Sequence, residues 1–167
     1  MFTNHALLRP GDVLLYRPAS LFGRLISIKT WSPYSHVELY FGGDPQQAVW
    51  AARDPQRWLP WPSGGGVNFY PFRDAQLALI RRPRAPIDIP LLLEFTRKTV
   101  GQKYDWGGLL KFFNITKGKM DRMFCSEAVT RALRLATGSA LFANVDADAV
   151  SPGMLAWTPE LEDVWRA

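Results

Sequence analysis

The chain has one cysteine, Cys125, in 167 residues. A single cysteine excludes an internal disulfide, so no covalent framework holds the fold. Histidine is nearly as scarce, with only His5 and His36. One cysteine and two separated histidines give no ligand spacing of the zinc type, so neither a metal nor another cofactor is expected. No apolar stretch approaches the roughly 18 residues that span a bilayer. The start "MFTNHALLRPGDV" also lacks the charged opening and long apolar run of a signal peptide. These absences predict a cytoplasmic protein with no transmembrane segment. Runs of one charge are missing too. Twenty Lys and Arg against 15 Asp and Glu give +5, but the bases are spread along the chain. That pattern favours anionic partners without forming a footprint for specific nucleic-acid binding. Oligomeric state is not legible.

What is present suits one compact domain over residues 1–167. Apolar residues make up 47% and charged residues 21%, a globular balance with enough material for a core. No repeat or low-complexity block divides the chain.

Turn signals and periodicity predict an α+β domain, an antiparallel sheet packed with helices. "GDVLLYRP" is a short apolar run between Gly11 and Pro18, a strand. "SLFGRLISIKTW" carries Leu21, Leu25 and Ile28 at helical spacing and predicts a short helix ending near Thr30. "SHVELYF" and "QAVWAA", separated by "GGDPQ", read as antiparallel partners. The Pro-, Gly- and Trp-dense stretch from Arg53 to Gly66 reads as a surface loop. "VNFYPF" and "AQLALIRRP" follow as strands. "LLLEFTRKTVGQ" is then a helix, with Asp88 as its cap, Pro90 in its first turn and Gly101 at its end. "KYDWGGLLKFFNITKGKM" is read as a helical turn and a loop. A last helix begins near Phe124, with Cys125, Val129, Ala132, Leu133 and Ala136 on one face and Gly138 as its C-terminal cap. The tail is read as irregular, with a turn at "VSPGML".

Thiol catalysis needs a thiolate, a base, and donors for a developing oxyanion. A cysteine in the first turn of a helix meets the positive end of the helix dipole, which favours the thiolate. Cys125 has that placement, although free cysteines are more often buried and inert. His36 opens a strand behind Tyr34 and Ser35, a common position for a general base, against the plainer reading of a satisfied half-buried histidine. His5 lies in the N-terminal lead and receives no role.

The ordered set "GDVLLYR", "SHVELYFG", "GQKYDWGGLL", "FCSEAV" and "VSPGML" resembles the circularly permuted NlpC-like cysteine hydrolases of papain-like fold, the YiiX/YebB-like group. The resemblance runs from about Gly11 to Leu155. It implies Cys125 as nucleophile at a helix N-terminus and His36 as its base or ion-pair partner. It also implies Tyr104 near the site as a substrate-binding group, with a core aromatic as the alternative. Ser126 and Glu127 match the group's "CSE", and Glu127 is read as a first-turn or orienting residue. One departure stands out. The strand after the histidine strand carries a polar third residue in that group, and here Ala51 takes the position. Glu38, two residues from His36 on one strand face, is the substitute. Trp58 and Trp61 in the Pro- and Gly-rich loop are candidates for a substrate-binding wall. Trp31, ahead of His36, is a third flanking tryptophan, with core packing as its alternative.

The resemblance implies a cysteine hydrolase acting on an amide bond in a peptide or peptidoglycan stem. A lipid ester or thioester handled by the same thiol is a second reading. A degenerate binding module, motivated by Ala51, is a third. The expected partner is thus a small-molecule, peptide or lipid substrate with an acyl group.

Overall fold

A computed structural model describes residues 5–53, 65–104, 122–139 and 141–167. Six strands form one antiparallel sheet: β1 (Val13–Tyr16), β2 (His36–Tyr40), β3 (Val49–Arg53), β4 (Gly66–Tyr70), β5 (Leu77–Pro83) and β8 (Leu161–Arg166). Their order across the sheet is β4-β3-β2-β1-β5-β8. Alternation along the strands divides the apolar residues between two layers. Val13, Leu15, Val37, Leu39 and Trp50 join one core with the helices, while Leu14, Tyr16, Val49, Leu77 and Ile80 build a smaller one.

Three helices begin where the residues dictate. In α1 (Leu21–Lys29), the Ser20 hydroxyl accepts the Gly23 N–H at 3.1 Å. In α2 (Ile89–Thr99), Asp88 accepts the Leu91 N–H at 2.9 Å and a proline stands in the first turn. Gly101 follows with φ of 89°, a conformation glycine adopts without penalty. The third helix, α3 (Cys125–Thr137), ends at Gly138 in the left-handed region. It buries Ala128, Val129, Ala132, Leu133 and Ala136 in the larger core.

The structure corrects three expectations. "VSPGML" is not a turn but the start of α4 (Pro152–Trp157), whose Ser151 cap accepts the Met154 N–H at 3.2 Å. The tail is not irregular: β8 pairs with β5 as a strand at the margin of the sheet. Buried Arg81 of β5 ties the sheet to the end of α4 by donating to the carbonyls of Ala156 at 2.7 Å and Thr158 at 3.0 Å, and to β8 by donating to the Leu161 carbonyl. Lys103–Tyr104 is a short strand, β6, parallel to β7 (Arg122–Met123), where a helical turn and loop were expected. The rest of that stretch, 105–121, lies outside the described residues. Trp31, for which core packing was the alternative reading, lies outside the core. It is 95% exposed, with φ of 49°. Of the Arg53–Gly66 loop, 54–64 lie outside the described residues, while Arg53 and Gly66 pair as the facing ends of β3 and β4.

Candidate active site

β2 sets His36 and Glu38 on one side of the sheet, because residues two apart on a strand point the same way. Their side chains meet: His36 Nε2 lies 3.0 Å from Glu38 Oε1. Glu38 is completely buried, and the His36 side chain keeps about a fifth of its exposure, 19%. A carboxylate withdrawn from water needs partners to remain ionised. Here they converge on one oxygen. Arg53 donates through Nε to the same Oε1 at 2.8 Å, and the Arg73 guanidinium stands 3.5 Å from it. Burial pushes the Glu38 pKa up, but the hydrogen bond and charge of His36, reinforced by Arg53, bring it down to about 2.

His36 also interacts with Cys125. Burial opposes the charged form of His36. The charge of Cys125 and a side-chain hydrogen bond to it, together with the hydrogen bond and charge of Glu38, outweigh that and raise the His36 pKa to about 9. Since Nε2 serves Glu38, Nδ1 is the ring nitrogen left for the thiol. His36 is the first residue of its strand. Its ring therefore stands at the end of the sheet, where a helix beginning nearby can present a side chain to it. Ala51, fully buried on β3, pairs with Asn68 and has no polar group to offer.

Cys125 is the first residue of α3 and 3% exposed. Its helix start is fixed from three directions. The Ser126 hydroxyl donates to the Val150 carbonyl at 2.7 Å, linking α3 to the segment before α4. Glu127 accepts the Phe124 backbone N–H and pairs with Arg131 at 2.8 Å. This is half of a capping box, the third-position acid reaching back to the cap residue. Burial raises the Glu127 pKa, against the lowering effect of Arg131. The cap residue, Phe124, contributes no side-chain hydrogen bond. The N–H groups of the first turn are thus not covered by their own cap side chain.

The structure thus brings together Cys125, His36 and Glu38. Tyr104 is buried in the larger core and pairs with Met123, two residues before the thiol. Trp58 and Trp61 lie outside the described residues.

Four neighbours were not singled out from the sequence. Tyr16 pairs with His36 across the strands, their ring centroids 5.9 Å apart. Its hydroxyl donates to the Arg73 carbonyl at 3.2 Å, and burial, then the Glu38 charge, hold its pKa well above the usual value. Arg53 lies over the Tyr70 ring at 4.2 Å, and the Tyr70 hydroxyl donates to the Gly66 carbonyl at 2.9 Å. Arg53 and Tyr70, with Arg73 and Tyr16, thus hold the buried carboxylate in place. A signal for Arg53 was present: extending the β2–β3 pairing from "HVE" brings an arginine opposite the histidine.

Among solved structures, the chain is similar to the metalloprotein YiiX from Escherichia coli O157:H7, with a TM-score of 0.68 and 18% identity. The match covers 95% of this chain and 97% of that one. At this identity the likeness is one of fold: a YiiX-like α+β domain. Comparison of the sequence with family models and with curated proteins found no match. Among the described residues, no three His, Cys, Asp or Glu side chains gather where they could hold a metal ion. The Glu38 carboxylate faces Arg53 and Arg73, whose charges oppose a cation there. The described donors do not fit a metal.

Proposed function

We propose that the protein is a papain-like cysteine hydrolase that cleaves an amide bond in a peptide or peptidoglycan stem. The observation that carries this reading is the chain of contacts Cys125–His36–Glu38, with His36 Nε2 at 3.0 Å from the carboxylate. A nucleophile, a base and a group that orients the base are the three parts thiol catalysis requires.

The Cys125 thiolate attacks the substrate carbonyl carbon, forming a C–S bond and a tetrahedral oxyanion. Backbone N–H groups in the first turn of α3 are the donors for that charge. The C–N bond breaks as the His36 imidazolium gives its proton to the departing amine. A water then loses a proton to neutral His36 and attacks the thioester, releasing the carboxylic acid and restoring the thiolate. Glu38 keeps the Nε2–H directed at itself, so that Nδ1 faces the thiol throughout. Tyr104, Trp58 and Trp61 are the substrate-binding candidates of this reading. The degenerate-module reading loses its motive, because Glu38 supplies the polar partner that position 51 does not.

A lipid ester or thioester is the second reading, favoured by the exposed apolar side chains that run from Leu21 to Trp31, just ahead of His36. One experiment separates these outcomes. The protein is incubated with peptidoglycan fragments and, separately, with phospholipid vesicles, and the intact mass and the products are followed. Cleaved stem peptide with an acyl adduct on Cys125 supports the amide reading, and a fatty-acyl adduct supports the lipid one. Turnover that persists in Cys125→Ala rejects both, since loss of the nucleophile costs about 10⁴-fold or more.

A further inference from the structure

The apolar residues of α1 are turned outward. Leu21 is 79% exposed, Leu25 52%, Ile28 70% and, just past the helix, Trp31 95%. At 100° per residue the three helical positions fall within roughly 60° of one another, so they form a stripe. The inward side of α1 is Gly23, whose close approach leaves little space for a side chain. An added Cβ would stand 3.1 Å from Ser35 Oγ and from Pro18 Cβ. The helix thus sits on the residue before His36 and presents its apolar side away from the protein.

The surroundings of the stripe name its partner by charge. Arg24 and Lys29 flank it on either side, and Arg17 is exposed just before the helix. From Val13 to Val37 there is no Asp or Glu. We propose that α1 and Trp31 dock the protein onto an anionic lipid surface, with Leu21, Leu25, Ile28 and Trp31 entering the boundary of the acyl chains. Arg17, Arg24 and Lys29 then meet the headgroups. A helix with an apolar stripe between basic residues lies in the plane of a bilayer, and tryptophan favours its interface. Clustered bases add attraction to anionic headgroups. A second copy of this chain is disfavoured as occupant, because it would bring the same bases against these. A grooved acidic protein is less suited than a bilayer, which deforms around a projecting Trp31. No helix among the described residues is long and apolar enough to cross a membrane, so the contact is with the surface.

The docking does not depend on the chemistry of Cys125, and the test keeps them apart. Wild type, Cys125→Ala, a Leu21→Ser/Leu25→Ser/Ile28→Ser/Trp31→Ser variant and an Arg24→Glu/Lys29→Glu variant are sedimented with phosphatidylcholine vesicles, with and without phosphatidylglycerol. Wild type and Cys125→Ala should sediment equally with the anionic vesicles and about tenfold less with phosphatidylcholine alone. The serine variant should lose about tenfold or more on both, and the charge-reversed variant chiefly its preference for phosphatidylglycerol. The serine and charge-reversed variants should keep the wild-type melting temperature, since their altered side chains are exposed. The proposal is overturned if wild type stays in solution with anionic vesicles, or if the serine variant sediments as wild type does. It is also overturned if, without lipid, wild type self-associates in sedimentation velocity and the serine variant does not, which would assign the stripe to a second copy.

Discussion

Helices α1 and α3 carry apolar residues at the same helical spacing and treat them in opposite ways. In α3, Ala128, Val129, Ala132, Leu133 and Ala136 are at most 3% exposed. In α1, Leu21, Leu25 and Ile28 are at least half exposed. Periodicity identifies a helix and its apolar side, but it does not say what covers that side. The difference lies in what stands around the stripe. The stripe of α3 belongs to the larger core, with Glu127 and Arg131 paired on the helix itself. The stripe of α1 has bases on both flanks, in a stretch from Val13 to Val37 whose sequence holds no Asp or Glu. One helix spends its apolar side on holding Cys125 against the sheet, and the other keeps it for a partner.

The sharpest way to break this comparison is to cut the covered stripe. Leu133→Ala should destabilise the protein by about 2–5 kcal/mol, the range for a large-to-small change in a core. Chemical denaturation measures it, and a loss below 1 kcal/mol would mean that α3 does not depend on its core. A smaller effect is expected at the end of α3 that carries the thiol. With the His36 pKa at about 9, the proton needed by the leaving amine is lost as pH rises through that value. The activity of wild type should therefore fall above pH 9. In Glu38→Gln, which removes one of the charges that raise the His36 pKa, the alkaline limb should move toward the unperturbed value near 6.5. A limb that stays in place would show that Glu38 does not act on His36. The smallest effect belongs to α1: Leu25→Ala should change stability by no more than about 0.5 kcal/mol, the usual range for an exposed position. A loss like that of Leu133→Ala would place Leu25 in a core after all.

The same two titrations predict how stability responds to pH. The raised pKa of His36 means its protonated form stabilises the fold fully below about 6.5, and that contribution is lost as pH rises through 9. The depressed pKa of Glu38 works in the other direction. Its contribution is present above the ordinary carboxylate range and is lost as pH falls through about 2. Both contributions are thus present together from about pH 5 to 6.5.

Much of the frame was legible in the sequence because its signals are local. Asp88, Gly101 and Gly138 mark helix ends through their own chemistry, and "HVE" places an acid beside a histidine by strand alternation alone. What was missed depends on distant pairing. Arg73 reaches Glu38 only after the chain has returned through β4, and Tyr16 meets His36 because β1 and β2 pair in one register. The tail was misread for a different reason. Helix α4 has six residues, too few for a period to show, although Ser151 followed by Pro152 is a helix-start signature. Strand β8 stands at the sheet margin and half of its sequence, "LEDVWR", is charged, so no apolar run marks it. The outward stripe of α1 was visible as spacing, but its exposure was not.

The central claim is that Cys125 and His36 form a reactive pair, and the labelling rate of Cys125 by iodoacetamide at pH 6 tests it most directly. The account predicts labelling well faster than a free thiol at that pH, slowed to the free-thiol rate or below in His36→Ala. Wild-type labelling no faster than a free thiol, or labelling that His36→Ala leaves unchanged, would contradict it.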